Sequence, residues 1–225
     1  MEGYRLGERV LAWYLSSITG FIDALGFLYL GGFFLSFMSG NTTRMTAAAV
    51  EGGWDVVGRA AGVMALFLLG VMIGSLVSRL AHRHLPPTRP RELVLLFVCL
   101  TAMIASALVL AGHDLPAVLS LSFTVGSMNS IFERDGEVAI SLTYMTGTLV
   151  KMSQRFVGVF FGGAHSAWLG YFLLWLSLAL GAVLGGLCYL ALGIRAVWVV
   201  TALVFLGTAA ALANRARRRR RGLPV

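Results

Sequence analysis

Two short polar stretches interrupt an otherwise apolar chain: SFMSGNTTRM, from Ser36 to Met45, and LTYMTGTLVKM, from Leu142 to Met152. Each brings together hydroxyls, a glycine and one cation. Ser39 or Asn41 in the first, and Thr146 or Thr148 in the second, are residue types that cap a helix N-terminus. Gly40 and Gly147 permit a turn. Arg44 and Lys151 follow about one helical turn later. A helix starting at such a point presents free N–H groups and a partial positive end. The chemistry this implies is capture of an anion or a carboxylate-bearing solute. Serine, threonine and glycine also let helices pack closely, but packing requires neither Asn41 nor Arg44.

Two further polar residues accompany the stretches, Asp23 and Asn129. An unpaired carboxylate in a membrane span costs several kcal/mol, so Asp23 calls for a proton or for a cation such as Arg44, Lys151 or Arg155. Two roles stay open for it: a proton-coupling or solute-contacting group, and one half of a permanent ion pair. A hydrolase with Ser39 as nucleophile and His165 as base would need hydrogen-bond reach and an oxyanion site. Ser39 is matched by Thr146, however, and His165 falls in a loop, so a non-enzymatic reading is preferred and no catalytic residue is assigned. His82, His84, His113, His165, Cys99 and Cys188 lack zinc-site spacing, so no metal or other cofactor is expected.

The elements that must position these residues follow from composition. The chain has 225 residues, 58% hydrophobic and 12% charged, with mean hydropathy +0.82. That charged fraction is about half of what soluble domains carry, which points to an integral membrane protein. Apolar spans lie at 10–31, 57–81, 93–112, 115–132, 168–193 and 196–214. The first resembles a signal peptide, yet it carries Asp23 and lacks a small-residue cleavage pattern, so it reads as a span. Residues 33–50 and 138–162 are broken by the polar stretches. The net charge of +8 concentrates in HRHLPPTRPR (82–91) and RARRRRR (215–221). Beside membrane spans, such runs set topology and attract anionic lipid, and no basic soluble module accompanies them, so nucleic acid is not expected as a partner. If both broken segments crossed the membrane, the two basic runs would fall on opposite sides. If both enter and leave by one face, the N-terminus, linker and tail share the cytoplasm. The turn FERDGE (Phe132 to Glu137) then reads as a short solvated cytoplasmic loop.

An internal repeat agrees with that topology. GFIDA (20–24) matches GSMNS (126–130) at an offset of 106, placing Asp23 against Asn129. FMSGNTTRM (37–45) matches YMTGTLVKM (144–152) at an offset of 107, and Gly70/Gly74 match Gly181/Gly185 at 111. Each half holds three crossings, an odd number, so the second half is inverted. The expected fold is therefore an all-α integral membrane protein. It has about six transmembrane helices plus two polar re-entrant or broken helices in two inverted repeats, 1–112 and 113–214, with a basic cytoplasmic tail at 215–225. Inverted repeats with broken helices mark many secondary transporters, whose sites lie near the midplane. The expected site residues are Asp23, Ser39, Gly40, Asn41, Arg44, Asn129, Thr146, Gly147, Thr148 and Lys151. The expected function is transport or channel-like passage of a small anionic solute; a non-transporting scaffold is the alternative to both transport and hydrolysis.

The segments TGFIDALGFLYLGGFFLSFMSGNTTRM and GSMNSIFERDGEVAISLTYMTGTLVKM resemble the YoaK-like family of small bacterial inner-membrane proteins, which is of unknown function. Its pattern is a G-x-x-D span, a T/S-G-N hairpin and a later N…T-x-M-T-G element. Ser39 stands where threonine is commoner, and SMNS replaces a pattern that usually has glutamine before the asparagine. The resemblance implies about six spans and a bacterial inner membrane, and names no substrate. Expected partners are the solute and anionic lipid at the basic tail; homo-oligomerisation is left open.

Overall fold

The computed structural model describes residues 4–86, 89–134 and 137–222. Asp135 and Gly136 of the expected solvated turn, and residues 223–225 of the tail, lie outside them. Among the described residues, eight α-helices carry the fold. They are α1 (Leu6–Tyr29), α2 (Met38–Val50), α3 (Trp54–His84), α4 (Pro90–Leu110), α5 (Asp114–Met128), α6 (Met145–Val159), α7 (Leu169–Leu192) and α8 (Ala196–Arg220). A pair of two-residue strands, Glu133–Arg134 and Glu137–Val138, lies between α5 and α6.

Five stretches are long and apolar enough to cross a membrane. Four are α1, α3, α4 and α5 with the 3-10 turn Asn129–Phe132 that extends it. The fifth, Leu169–Arg220, is divided at Gly193 into α7 and α8. The chain is thus an all-α membrane protein. Exposed leucines and methionines recur every three or four residues on α3 (Leu68, Met72, Leu76) and α7 (Leu180, Leu184, Leu187), a face suited to lipid. The short helices differ. With 13 and 15 residues, α2 and α6 reach about 20 Å and 22 Å, short of the roughly 30 Å hydrocarbon core.

The helices pack in crossed pairs, α1 on α7 and α3 on α5. Glycines bring their backbones together: a Cβ at Gly181 or Gly185 would strike the carbonyl of Ser17 or Phe21, and one at Gly20 that of Leu178. In the second pair, a Cβ at Gly70 would strike the carbonyl of Phe123, one at Gly126 that of Phe67, and one at Gly74 the Ser127 backbone. Hydroxyls follow the same pattern. Ser16 Oγ donates to the Leu174 carbonyl at 3.1 Å, and Ser122 Oγ to that of Val63 at 3.1 Å. Small residues and interhelical hydroxyls of this kind hold helices together where lipid removes the hydrophobic driving force. Between the pairs, buried residues of α1 (Leu15, Ile18, Ile22), α5 (Leu121, Val125) and α8 (Val200, Val204) form the core.

Ion pairs fix which helix ends lie together. Arg91 at the start of α4 meets Glu8 at the start of α1 at 2.6 Å. Glu92 meets Arg215 and Arg219 at the end of α8 at 3.2 and 2.8 Å. The chain start, the basic linker and the basic helix end therefore share one end of the molecule, here called the basic end. By the tendency of basic loops to stay inside, reporter fusions after Arg89 and after Arg221 are both expected to report the cytoplasm. Reports from opposite sides would overturn this arrangement.

Candidate functional site

The first hairpin begins where α1 ends, away from the basic end. The chain reverses at Gly31 and Gly32, whose φ angles of 67° and 98° favour glycine. Phe33 to Phe37 then run back alongside α1. Asp23 lies six residues before the end of α1, about 9 Å along its axis. Its half-buried carboxylate accepts hydrogen bonds from Leu35 N (2.9 Å), Ser36 N (2.7 Å) and Ser36 Oγ. Asn41, fully buried, accepts from Phe34 N at 3.0 Å and donates to the Phe34 carbonyl at 2.6 Å. Ser122 on α5 donates to the Leu35 carbonyl at 2.8 Å, and Met38 N to that of Ser36 at 3.1 Å. Every N–H and C=O of Phe34, Leu35 and Ser36 is thereby matched, as non-helical chain buried in protein requires.

From this tip α2 runs back toward the end of α1. Arg44 shows the direction: its guanidinium donates to the carbonyls of Gly32 and Gly31 (2.5 and 2.9 Å) and lies over the Phe33 ring at 4.1 Å. The expected cation partner of Asp23 is thus not Arg44. Backbone amides and a hydroxyl bond to that carboxylate instead, and Arg44 closes the mouth of the loop.

The second tip repeats the device from the other end. Asn129 is buried two residues before Ile131, whose carbonyl accepts from Arg91 Nε at the basic end. Thr143, placed as Ser36 is in the first hairpin, donates to Asn129 Oδ1 at 3.3 Å. Met145 N bonds the Thr143 carbonyl at 3.1 Å, as Met38 N bonds Ser36, and Thr148 N bonds Tyr144 as Asn41 N bonds Phe37. The N-cap residues Phe37 and Tyr144 have matching angles, φ −87° and −88°, ψ 76° and 71°. The grip on the returning chain is weaker: Asn129 takes one bond from it where Asp23 takes three, and the Asn129 amide donates instead to the Val125 and Gly126 carbonyls of its own helix.

Several expectations change. Neither α2 nor α6 has a side-chain cap, so Ser39, Asn41, Thr146 and Thr148 do not cap them. Asn41 is turned inward to Phe34, and Thr148 Oγ1 donates to the Tyr144 carbonyl at 3.1 Å. Gly40 and Gly147 do not make the turn. Each lies under the ring of its N-cap residue, Phe37 or Tyr144, where a Cβ would collide. Ser39, Thr146 and Lys151 are exposed. The backbone N–H groups of Ser39, Gly40, Thr146 and Gly147 have no acceptor among the described residues.

The two polar sets are not drawn to one point. Leu35 is level with Ser122 on α5, whereas Asn129 is seven residues further along, about 10 Å. Among the described residues no hydrogen bond or ion pair joins α2 to α6, or Ser39 to His165 of the exposed α6–α7 connection. Sequence reasoning missed Gly31, Gly32, Ser36, Ser122 and Thr143. A signal existed for one pair, since Ser36 and Thr143 stand at the same offset of 107 as the flanking motif.

Comparison with known proteins gives a family and no chemistry. Residues 11–210 match the family described as "Protein of unknown function (DUF1275)". The chain is 32% identical over 197 residues to a UPF0700 transmembrane protein of Rhizobium meliloti (strain 1021), covering 88% of this chain and 83% of that one. No solved structure matches significantly.

Removing the Asp23 carboxylate strands two amides and a hydroxyl, at about 1–3 kcal/mol for each group left unpaired in apolar surroundings. Asp23→Ala is therefore expected to lower the melting temperature of the purified protein clearly more than Asn129→Ala. An equal or smaller drop would show that the amides find other partners.

Proposed function

This chain belongs to the DUF1275 family, and from the geometry of its two hairpins we propose that it transports a small anionic or carboxylate-bearing solute. In this reading residues 1–112 and 113–214 are inverted repeats, α2 and α6 are re-entrant helices, and the solute meets one tip from each side of the membrane. The observation that carries it is the repeated tip: Asp23 with Ser36 and Asn129 with Thr143, approached from opposite ends of the molecule. Inverted repeats with broken helices suit alternating access, because each half can adopt the state of the other.

The tips lie about 10 Å apart along α5, so each acts as the gate of its own side, and the solute passes between them. The anionic preference is supported by the unpaired N–H groups of Ser39, Gly40, Thr146 and Gly147 at two helix N-termini, with Lys151 close behind one of them. Asp23, Asn41, Arg44 and Asn129 serve the site by holding the tips in shape. The reading is non-enzymatic. It places the protein in a bacterial inner membrane with both termini cytoplasmic, in keeping with the basic end.

The test is a thermal-stability screen of the purified protein against small carboxylates, inorganic anions, amino acids and nucleobases. A carboxylate or another anion is expected to stabilise it. Lys151→Gln is expected to weaken that solute about ten- to hundredfold, the worth of one hydrogen bond to a charged group. Stabilisation by neutral solutes alone, or by none, would contradict the proposal.

A further inference from the structure

At the residue that grips the returning chain, the two tips differ in charge. Asn129 is an amide, neutral at every pH, whereas Asp23 can carry a negative charge. Among the described residues no cation answers it: every bond to the carboxylate comes from Leu35 N, Ser36 N or the Ser36 hydroxyl. The charged and titratable groups of the packed elements are engaged or stand off. On α2, Arg44 is bonded to the Gly31 and Gly32 carbonyls. On α5, Ser122 is bonded to the Leu35 and Val63 carbonyls. Asp114 at the start of α5 and Tyr189 on α7 lie near Tyr29, six residues beyond Asp23. Cys188 precedes Tyr189 on α7, and α8 carries no titratable residue between Ala196 and Asn214.

The first tip can take up a proton without coming apart. Oδ1 of Asp23 accepts both amides, whose hydrogens are fixed by the backbone. Oδ2 has the Ser36 hydroxyl, and a hydroxyl can donate or accept. A proton arriving on Oδ2 turns that bond round: Oδ2–H donates to Ser36 Oγ, and Oδ1 keeps both amides. What changes is the charge, not the path of the chain. The charge matters because of where the tip leads. Ser36 is three residues from Ser39, at most about 11 Å of chain. There the N–H groups of Ser39 and Gly40, which have no acceptor among the described residues, open α2. An anion approaching them meets the Asp23 carboxylate. Two like charges about 10 Å apart in partly buried surroundings change an equilibrium about tenfold.

We propose that the first tip is a proton-dependent gate: an anion is admitted to the N-terminus of α2 when Asp23 carries a proton and repelled when it does not. The second tip, built on Asn129, makes no such distinction. This rests on the transport reading and adds a direction to it, since acid on the side away from the basic end admits the anion there.

The test uses the full-length protein in detergent and needs no transported solute. Infrared difference spectra between about pH 4 and about pH 9 read protonated carboxyl groups. A component is expected to grow as the pH falls, to be lost in Asp23→Asn and to be kept in Asp55→Asn, a change at an exposed acid. The second readout is labelling of Ser39→Cys and Thr146→Cys, each with Cys99→Ser and Cys188→Ser. Two methanethiosulfonates of matched size are used, one neutral and one bearing a sulfonate, and the ratio of their rates cancels the titration of the thiol itself. For Ser39→Cys the anionic-to-neutral ratio is expected to rise about tenfold as the pH falls through the range of the infrared component, and to stay flat when Asp23→Asn is added. For Thr146→Cys it is expected to be flat throughout. The ratio at Ser39→Cys with Asp23 intact decides the matter even if Asp23→Asn does not fold. A missing Asp23 component, a flat ratio at Ser39→Cys, or a rise that persists in Asp23→Asn would each overturn the proposal. Failure of every anion to stabilise the protein would overturn the transport reading instead, and leaves both readouts as they are.

Discussion

A chain that leaves its helix inside an apolar layer must find a partner for every peptide group, because no water is there to serve. In the re-entrant reading, that requirement explains why so polar a sequence is tolerated between α1 and α3. Asp23 answers two amides and a hydroxyl, Asn41 answers both peptide groups of Phe34, and Ser122 reaches across from α5 to the Leu35 carbonyl. The polar residues of SFMSGNTTRM are thus largely occupied with their own backbone. In the transport reading, what remains for a solute is what they leave open, the first N–H groups of α2 and its exposed hydroxyl face.

The hairpins depend in turn on the crossed helix pairs. Because α1 lies on α7 and α5 on α3, the helix that holds each tip is supported by the far half of the chain. The glycines at these crossings are intolerant positions for a physical reason: a side chain at Gly70 or Gly181 would have to occupy the space of a backbone carbonyl. Neither half buries its own first helix, so the halves form one folding unit while keeping separate hairpins.

Much of this was legible in the sequence. The all-α membrane class follows from length and hydropathy, because membrane spans must be long, and the two polar stretches do coincide with the two short helices, α2 and α6. The end-to-end arrangement followed from the placement of basic residues. The roles within the hairpins were not legible. Whether Arg44 turns toward Asp23 or toward Gly31 and Gly32 depends on where the chain reverses, and a glycine pair marks a turn without saying which side chain will close it. Asn41 looked like a cap because its residue type suits one, yet its burial is decided by Phe34, seven residues earlier.

The claim that the two hairpins approach from opposite faces is open to direct measurement. Ser39→Cys and Thr146→Cys, each in a background carrying Cys99→Ser and Cys188→Ser, place one thiol on an exposed position of each tip. A membrane-impermeant thiol reagent is applied to vesicles of known orientation, from one side and then from the other. The expected result is that Ser39→Cys labels only from the side away from the basic end and Thr146→Cys only from the basic side. Labelling of both from the same side would contradict the inverted arrangement and the gating built on it.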